Sequence, residues 1–190
     1  MSQEEDDILL GKALNGDAEA VERLLGQYEK RIFNIALRMM GHEEDALDAA
    51  QETMIKVYRN LPNFKRECAF FSWVYRIAVN VCLDALRRRR MGRLVYFSNS
   101  EIERQFEIPD GASGTPESRY DNGVWMDAVK AGLSRLDPGH RAVVVLRDVQ
   151  GFSYNEISQI LKCNVGTVKS RISRARLQLQ KILYDDMELL

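Results

Sequence analysis

The spacing of apolar residues predicts three helices in the part of the chain before residue 92. Apolar side chains recur there every three or four positions, which is the period of an amphipathic helix. Asp17 is the N-cap candidate for the first helix, and Gly41-His42 and Pro62-Asn63 are the turn signals between helices. The predicted apolar stripes are Val21, Leu24, Leu25, Tyr28, Ile32, Ile35 and Met39; Leu47, Ala50, Met54, Val57, Tyr58 and Leu61; and Phe71, Val74, Ala78, Val81 and Ala85.

The pattern stops in the middle of the chain, and residues 93–122 are predicted to form a flexible linker. Residues 109–116 read Pro-Asp-Gly-Ala-Ser-Gly-Thr-Pro, a composition typical of turns and linkers. A short helical patch is expected at residues 100–105. The chain is therefore expected to be all-α, with one small domain at residues 1–92 and another at residues 123–190.

The second domain has the pattern of a helix-turn-helix. Asp137 before Pro138 predicts an N-cap with proline at the first helical position, after a helix over residues 124–136. Ser153 and Glu156 form a predicted capping box that opens a helix of about two turns. A three-residue turn ending in Asn164 leads into a longer basic helix over residues 165–183. A short helix, a tight turn and a longer basic helix are typical of a helix that enters the major groove of DNA.

The final helix presents two different faces. Val165, Val168, Ile172, Ala175 and Leu179 form the face expected to pack in the core. The opposite face carries small polar residues and long cations, which can approach base edges and contact phosphates. A solvated basic helix is the alternative interpretation, and the outward Leu177 has no explanation. The residues of this predicted DNA-binding face and its margins are Thr167, Lys169, Ser170, Arg171, Ser173, Arg174 and Arg176.

A second basic face is predicted on the third helix and the loop before it. An aromatic ring, an amide and several cations on one face suit single-stranded DNA, whose bases stack on aromatic or guanidinium planes. The alternative is that Trp73 belongs to the core and that the cations are solvated. The candidate residues on the helix are Trp73, Arg76, Asn80 and Arg87, and those in the loop are Lys65, Arg66 and Glu67.

The predicted second helix carries a mainly acidic face made of Asp45, Asp48, Glu52 and Arg59, with Gln51 at its margin. An acidic face cannot bind DNA, so it contacts either solvent or another protein. The spacing alone favours solvent.

The charge distribution agrees with two polyanion-binding sites. The net charge is −1 over 190 residues. Residues 61–93 nevertheless carry 8 basic and 2 acidic side chains, and residues 136–183 carry 8 and 3. Acidic stretches flank both basic blocks. Nucleic acid is therefore expected at two places and a different partner elsewhere.

Several functional classes are disfavoured by the sequence. The three cysteines are single and scattered, so no metal site is expected, and no cofactor motif or catalytic constellation is present. No apolar run is long enough to span a membrane, and the acidic N-terminus does not resemble a secretory signal, so a cytoplasmic protein is expected. A regulator with an N-terminal sensor domain and an enzyme acting on nucleic acid are the alternatives, and the helical first domain argues against the sensor.

Three motifs occur in order on either side of the linker: DALDAAQE at residues 45–52, FFSWVYRIAVN at residues 70–80, and SYNEISQIL at residues 153–161 followed by GTVKSR at residues 166–171. In these motifs the chain resembles the sigma factors of the extracytoplasmic-function group, over almost its whole length. The resemblance implies a sigma region 2 helical bundle joined to a sigma region 4 helix-turn-helix. It also implies that the protein recruits core RNA polymerase to promoter DNA and has no catalysis of its own.

The resemblance also assigns partners to the predicted surfaces. Asp45, Asp48, Gln51 and Glu52 match the segment that binds the β′ clamp, which reverses the preference for solvent. Asn80 and the loop at residues 65–69 match the reader of the −10 element, and the basic face of the last helix matches the reader of the −35 element. Contact with the β flap and control by an anti-sigma factor are further expectations from the family.

Three positions depart from the family pattern. Arg66 stands where the loop usually has glycine, and Met54 stands where phenylalanine is usual. Lys162 replaces the common glycine of the turn, at a modest cost if the backbone there takes a positive φ.

Overall fold

The computed structural model describes residues 3–97 and 128–187, with side chains described over 7–90 and 128–185, and every regular element in those ranges is helical. The first unit contains α1 (Gln3–Leu14), α2 (Ala18–Met40), α3 (Glu43–Asn60) and α4 (Phe70–Phe97), with a 3₁₀ turn at Leu61–Asn63. The second contains α5, described over residues 128–135, then α6 (Pro138–Val144), α7 (Tyr154–Leu161) and α8 (Val165–Met187). A π-helical turn, Val145–Val149, continues α6.

Local sequence signals set the ends of these helices. The Asp17 side chain accepts a hydrogen bond from the Ala20 amide at 3.1 Å and caps α2. Gly41 ends the same helix with φ at +81°, a left-handed conformation that glycine adopts without strain. In the second unit, Asp137 accepts from the Gly139 amide at 2.9 Å. The capping box of Ser153 and Glu156 is formed in both directions, as predicted.

The core of the first unit lies between α2, α3 and α4. Leu24, Ile32 and Ile35 of α2 are fully buried and pack with Val74 and Val81 of α4. These residues belong to the predicted apolar stripes, so the faces of α2 and α4 are confirmed.

The predicted apolar face of α3 was partly wrong. Leu47 and Tyr58 are 54% and 62% exposed, so they do not belong to the core. The buried face is made largely of small residues: Ala46, Ala49, Ala50, Thr53 and Val57. Small side chains allow α3 to lie close to its neighbours, and the Thr53 hydroxyl is satisfied by the Ala49 carbonyl at 2.7 Å. The face of α3 that packs against its neighbours is therefore the small-residue face, and the large apolar side chains of Leu47 and Tyr58 lie outside it.

The second unit is a helix-turn-helix. Lys162 ends α7 with φ at +49°, which is the left-handed backbone conformation that favours glycine at this position of the turn. The Asn164 side chain accepts from the Thr167 amide at 2.7 Å and caps α8. Val168, Ile172 and Ala175 are buried against the other helices, and the predicted core face of α8 is confirmed.

The boundaries of the linker are only partly visible. Helix α4 continues to Phe97, past the predicted domain boundary at residue 92. Most of the predicted linker, the helical patch expected at residues 100–105 and the start of the helix predicted at residue 124 lie outside the described residues. No helix in the described part of the chain is long and apolar enough to cross a membrane.

Candidate functional site

The acidic face of α3 has two exposed and two shielded members. Asp48 and Gln51 are exposed, whereas Asp45 and Glu52 are partly covered. Arg89, from the basic end of α4, forms an ion pair with Asp45. The four residues of this predicted protein-binding face thus lie together along α3, and the chain's own cations cover part of it.

Glu52 is held in its charged form. Its Oε1 lies 2.7 Å from the Lys56 Nζ, and its Oε2 lies 3.7 Å from Arg88 Nη2. The hydrogen bond from Lys56, supported by the charges of Lys56 and Arg88, lowers the pKa of Glu52, although partial burial opposes this. The carboxylate therefore stays charged, and a cationic partner would have to compete with Lys56 and Arg88 for it.

Three apolar residues beside the acidic face are exposed, and the sequence pattern predicts no functional role for them. They are Leu47, Ile55 and Tyr58, of which Ile55 is 44% exposed. Exposed large apolar side chains in one helix beside charged residues are typical of a protein interface. The helical period places Leu47 and Tyr58 in the core and therefore misses this surface.

A groove of about 410 Å³ lies between the end of α3 and the middle of α4. It brings together Trp73 and Asn80, two of the residues predicted to contact single-stranded DNA. Lys56, Asn60 and Asn63 line the opposite side of the groove. The sequence pattern gives them no role, although they recur at helical spacing. The groove is lined by Lys56, Asn60, Asn63, Trp73, Ile77, Asn80 and Val81.

Trp73 is both a core residue and a wall of this groove. Its ring lies 5.1 Å from the ring of Phe64 and 5.6 Å from that of Phe70, centroid to centroid. These aromatic contacts fix the indole while its remaining surface stays open to the groove. The two interpretations of Trp73 from the sequence are therefore compatible.

The loop residues Lys65, Arg66 and Glu67 are exposed. Arg66 has φ at +56°, a conformation that costs a residue with a Cβ roughly 1–2 kcal/mol. Its guanidinium lies beside α1, with Nη2 3.8 Å from the position that a Cβ on Gly11 would occupy. The positive φ explains why glycine is the usual residue at this position in the family. The Arg66 side chain points towards α1 and away from the groove.

Arg76 and Arg87 do not line the groove either. Arg76 donates from Nη2 to the Gln159 carbonyl of α7 at 2.6 Å and is half-buried. Arg87 is exposed and pairs with Asp84 on its own helix at 3.3 Å. Of the residues predicted for this DNA site, the structure brings together Trp73 and Asn80 and separates the cations from them.

The outer face of α8 is solvent-accessible along its first turns. Lys169, Ser170, Arg171, Ser173 and Arg174 are all exposed. Thr167 is half-buried, and its hydroxyl donates to the Asn164 side chain at 2.8 Å, so it strengthens the start of the helix. The small side chains of Ser170 and Ser173, beside the exposed cations Lys169, Arg171 and Arg174, allow this face to approach a groove of DNA.

Arg176 is anchored by a carboxylate. Its Nε lies 3.1 Å from Asp148 Oδ2, and its Nη2 bonds to the other oxygen. Asp148 raises the pKa of Arg176 through this hydrogen bond, so the guanidinium stays charged and is held in place. Beside it, a groove of about 280 Å³ is lined by Tyr154, Lys169, Ile172, Ser173, Arg176, Leu177 and Gln180. Leu177, unexplained by the sequence, forms part of this groove and is 64% exposed.

Within the described residues, no group of three or more His, Cys, Asp or Glu side chains is arranged to hold a metal ion. The candidate site consists of three surfaces on helices: the acidic face of α3, the groove between α3 and α4, and the outer face of α8. This arrangement defines a two-domain, all-α protein with a helix-turn-helix, which is a class of DNA-binding protein, and with an acidic face on its first domain.

Comparison with known proteins identifies the family. The family described as Sigma-70 region 2 matches residues 24–91, and Sigma-70, region 4 matches residues 126–179. The RNA polymerase sigma-H factor of Pseudomonas aeruginosa is 35% identical over 96% of both chains. The extracytoplasmic-function (ECF) sigma factor SigW of Bacillus subtilis is 31% identical over 90% of this chain and 92% of its own. The chain belongs to the ECF sigma factors of the sigma-70 family.

Solved structures agree with this assignment. CnrH, in a complex with the cytosolic domain of CnrY, matches 95% of this chain and 98% of its own, with 28% identity and a TM-score of 0.67. The sigma factor RpoE of Bartonella quintana, in a complex with the anti-sigma factor NepR, matches 86% of this chain and 96% of its own, with 26% identity and a TM-score of 0.64. The protein is a transcription initiation factor with sigma regions 2 and 4, as the sequence motifs predicted.

Proposed function

We propose that this sigma factor works through the three surfaces described above. The acidic face of α3 binds the β′ clamp of core RNA polymerase, the groove between α3 and α4 reads the −10 element, and the outer face of α8 reads the −35 element. Region 4 additionally contacts the β flap. The chain has no catalytic activity of its own, and it acts on DNA and polymerase in the cytoplasm.

The single observation that supports the −10 assignment most strongly is the groove shared by Trp73 and Asn80. An aromatic wall can stack a base removed from the duplex, and amides can bond to its edges. Lys56, at the rim, supplies a charge for the phosphate backbone. Removing a base from the stack costs a few kcal/mol, which such contacts offset once the base is seated.

Charge and exposed apolar surface together support the clamp assignment. Asp48 and Gln51 are accessible, and Leu47 and Tyr58 place apolar surface at the same helix. A partner with cations around an apolar patch would match this face.

The face of α8 suits direct readout of duplex DNA. Arg174 can form two hydrogen bonds with a guanine, and Ser170 permits close approach. Arg176, held by Asp148, is better placed for a phosphate, which carries no sequence information.

Control by an anti-sigma factor is the remaining element of the proposal. The related RpoE structure contains the anti-sigma factor NepR. A similar partner here would compete with core RNA polymerase for the exposed apolar residues of α3.

The −10 assignment is tested by changing Asn80→Ala. The variant should form closed complexes at the −35 element nearly as well as the parent and melt duplex promoters more slowly. Permanganate footprinting of unpaired thymines, on duplex promoters and on the same promoters pre-opened at −10, separates the two steps. Asn34→Ala, which removes an exposed amide of α2, is the matched control. Equal melting by Asn80→Ala and the parent would place the −10 reader elsewhere.

A further inference from the structure

Leu177 lies on the same face of α8 as the residues proposed to read the −35 element. Successive residues of a helix are rotated by about 100°, so residues seven apart point within about 20° of the same direction. Leu177 follows Ser170 by seven residues, Ser173 by four and Arg174 by three. All four residues are exposed, and Leu177 is 64% exposed. The apolar side chain of Leu177 is therefore presented together with the proposed base readers.

The spacing of these residues is one with which recognition helices read DNA. The homeodomain, a variant of the helix-turn-helix, contacts the major groove from four helical positions with the spacing i, i+3, i+4 and i+7. The residues of α8 with this spacing are Ser170, Ser173, Arg174 and Leu177. Leu177 lies about 10 Å further along the helix axis than Ser170, which is within the reach of such a helix.

The charges around Leu177 favour a polyanion over an apolar protein surface. Residues 165–184 carry five lysines and arginines and no aspartate or glutamate. Arg176 precedes Leu177 directly, and Lys169 and Arg176 line the same groove as Leu177. A single exposed leucine is common on protein surfaces and needs no explanation by itself. Here, however, an apolar partner would have to desolvate the neighbouring cations, whereas DNA phosphates would neutralise them.

The neighbours of Leu177 leave its side chain accessible to an apolar group of the DNA. A helical side chain leans over the turn that precedes it, so the isobutyl group of Leu177 covers the surface next to Ser173 and Arg174. Ser173 is small, and it lines the groove of about 280 Å³ together with Leu177. An apolar group can therefore approach Leu177 across Ser173 without displacing a larger side chain.

Thymine is the base that presents such an apolar group in the major groove. Its C5 carbon carries a methyl group, whereas guanine, adenine and cytosine present hydrogen-bond donors and acceptors there. A leucine side chain has no donor or acceptor and cannot read those groups. It can bury a methyl group, because removal of apolar surface from water is favourable. The chemistry of Leu177 therefore matches a thymine.

We propose that Leu177 is a fourth base-reading residue of α8 and that it recognises the C5 methyl group of a thymine in the −35 element. This inference rests on the proposed function, because it requires that α8 enters the major groove at −35. The thymine lies about three base pairs from the base read at Ser170, since about 10 Å of helix axis spans about three base-pair steps. Leu177 thus contributes to sequence selectivity without forming a hydrogen bond.

Replacement of thymine by deoxyuridine tests this contact, because deoxyuridine lacks only the methyl group and keeps the base pair. The parent holoenzyme first selects a −35 box from a randomised pool, and each thymine on either strand is then replaced singly. One replacement, about three base pairs from the position affected by Ser170→Ala, should weaken binding by the parent about two- to fivefold, as expected for one methyl group. Leu177→Ala should bind the unmodified box about as weakly and should lose no further affinity on that replacement.

Tyr184→Ala is the matched control, since it removes another exposed apolar side chain of α8, about two turns beyond Leu177. This variant should respond to deoxyuridine as the parent does. A selected box with no thymine at that distance, or equal sensitivity of Leu177→Ala and the parent to every replacement, would overturn the inference.

Two further outcomes separate this inference from the claims around it. Weaker binding of Leu177→Ala to core polymerase, with an unchanged response to deoxyuridine, would overturn the thymine contact and assign Leu177 to a protein interface. If Ser170→Ala and Arg174→Ala leave the base preference unchanged, the −35 assignment of α8 itself fails. If those two variants change the preference and Leu177→Ala does not, only the role of Leu177 is refuted.

Discussion

Arg89 of α4 forms an ion pair with Asp45 of α3, which joins the basic run at the end of region 2 to the acidic face proposed to bind polymerase. Arg88 approaches Glu52 on the same face. Two surfaces that the sequence presents as separate are therefore in contact. A cationic polymerase surface that binds α3 would compete with these arginines and release them towards DNA phosphates.

The first prediction is that removing the internal cations strengthens polymerase binding. The double variant Arg88→Ala, Arg89→Ala should bind core polymerase roughly two- to fivefold more tightly at low salt, because exposed ion pairs are individually weak. The effect should shrink as salt screens the charges. Arg90→Ala, from the same basic run but without an ion pair to the described residues of α3, is the control. Weaker binding by the double variant would show that the arginines contact polymerase themselves.

The second prediction concerns the turn of the helix-turn-helix. Lys162 has φ at +49°, which favours glycine. Lys162→Gly should therefore raise the free energy of unfolding by about 0.5–1 kcal/mol. Lys162→Ala removes the same charge without relieving the backbone and should not stabilise the protein. Urea unfolding of all three proteins provides the measurement, and equal stability of the glycine and alanine variants would contradict the backbone explanation.

The third prediction concerns Cys82. Burial in the core raises the pKa of its thiol from 9.0 to about 12. The unfolded chain ionises first as the pH rises, so the contribution of Cys82 to stability is complete below about pH 9 and is lost towards pH 12. In the native protein at pH 8, a thiol reagent should modify the half-buried Cys68 and Cys163 much faster than Cys82. Equal rates at all three positions would contradict the packing of α4.

The parts of the fold that were predictable from the sequence are those set by local chemistry. The Asp17 cap and the capping box of Ser153 and Glu156 act within one turn of their own helix, so their residues identify them. The core faces of α2 and α8 follow from a simple period of large apolar residues. The positive φ at Lys162 was foreseeable from the glycine that is usual there.

Features that depend on contacts between distant elements were not predictable. Leu47 and Tyr58 have core-like side chains but lie outside the small-residue face that α3 presents to its neighbours. Arg76 shares a helical face with Asn80, yet Gln159 of the other domain holds it. A helical period gives the direction of a side chain and does not show which distant segment occupies that direction.

The fourth prediction concerns sequence readout at −35. Arg174→Ala and Ser170→Ala should change the base preference, at roughly 1–3 kcal/mol for each base that is no longer read. Arg176→Ala should weaken binding to all sequences alike, because Arg176, which Asp148 holds in place, is proposed to contact a phosphate. Selection of randomised −35 boxes by the holoenzyme gives the profiles. An unchanged profile for both of the first two variants would refute the assignment of this face.

Run-off transcription with core RNA polymerase and a genomic promoter library tests the central claim most directly. The parent should initiate at specific promoters only when core polymerase is present. The double variant Asp48→Lys, Glu52→Lys reverses both charges. It should abolish initiation and core binding and keep the helical circular dichroism of the parent. The same two charge reversals at the exposed Glu22 and Glu29 of α2 should leave both intact. Efficient promoter binding by the free protein, with no initiation when core polymerase is added, would contradict the account.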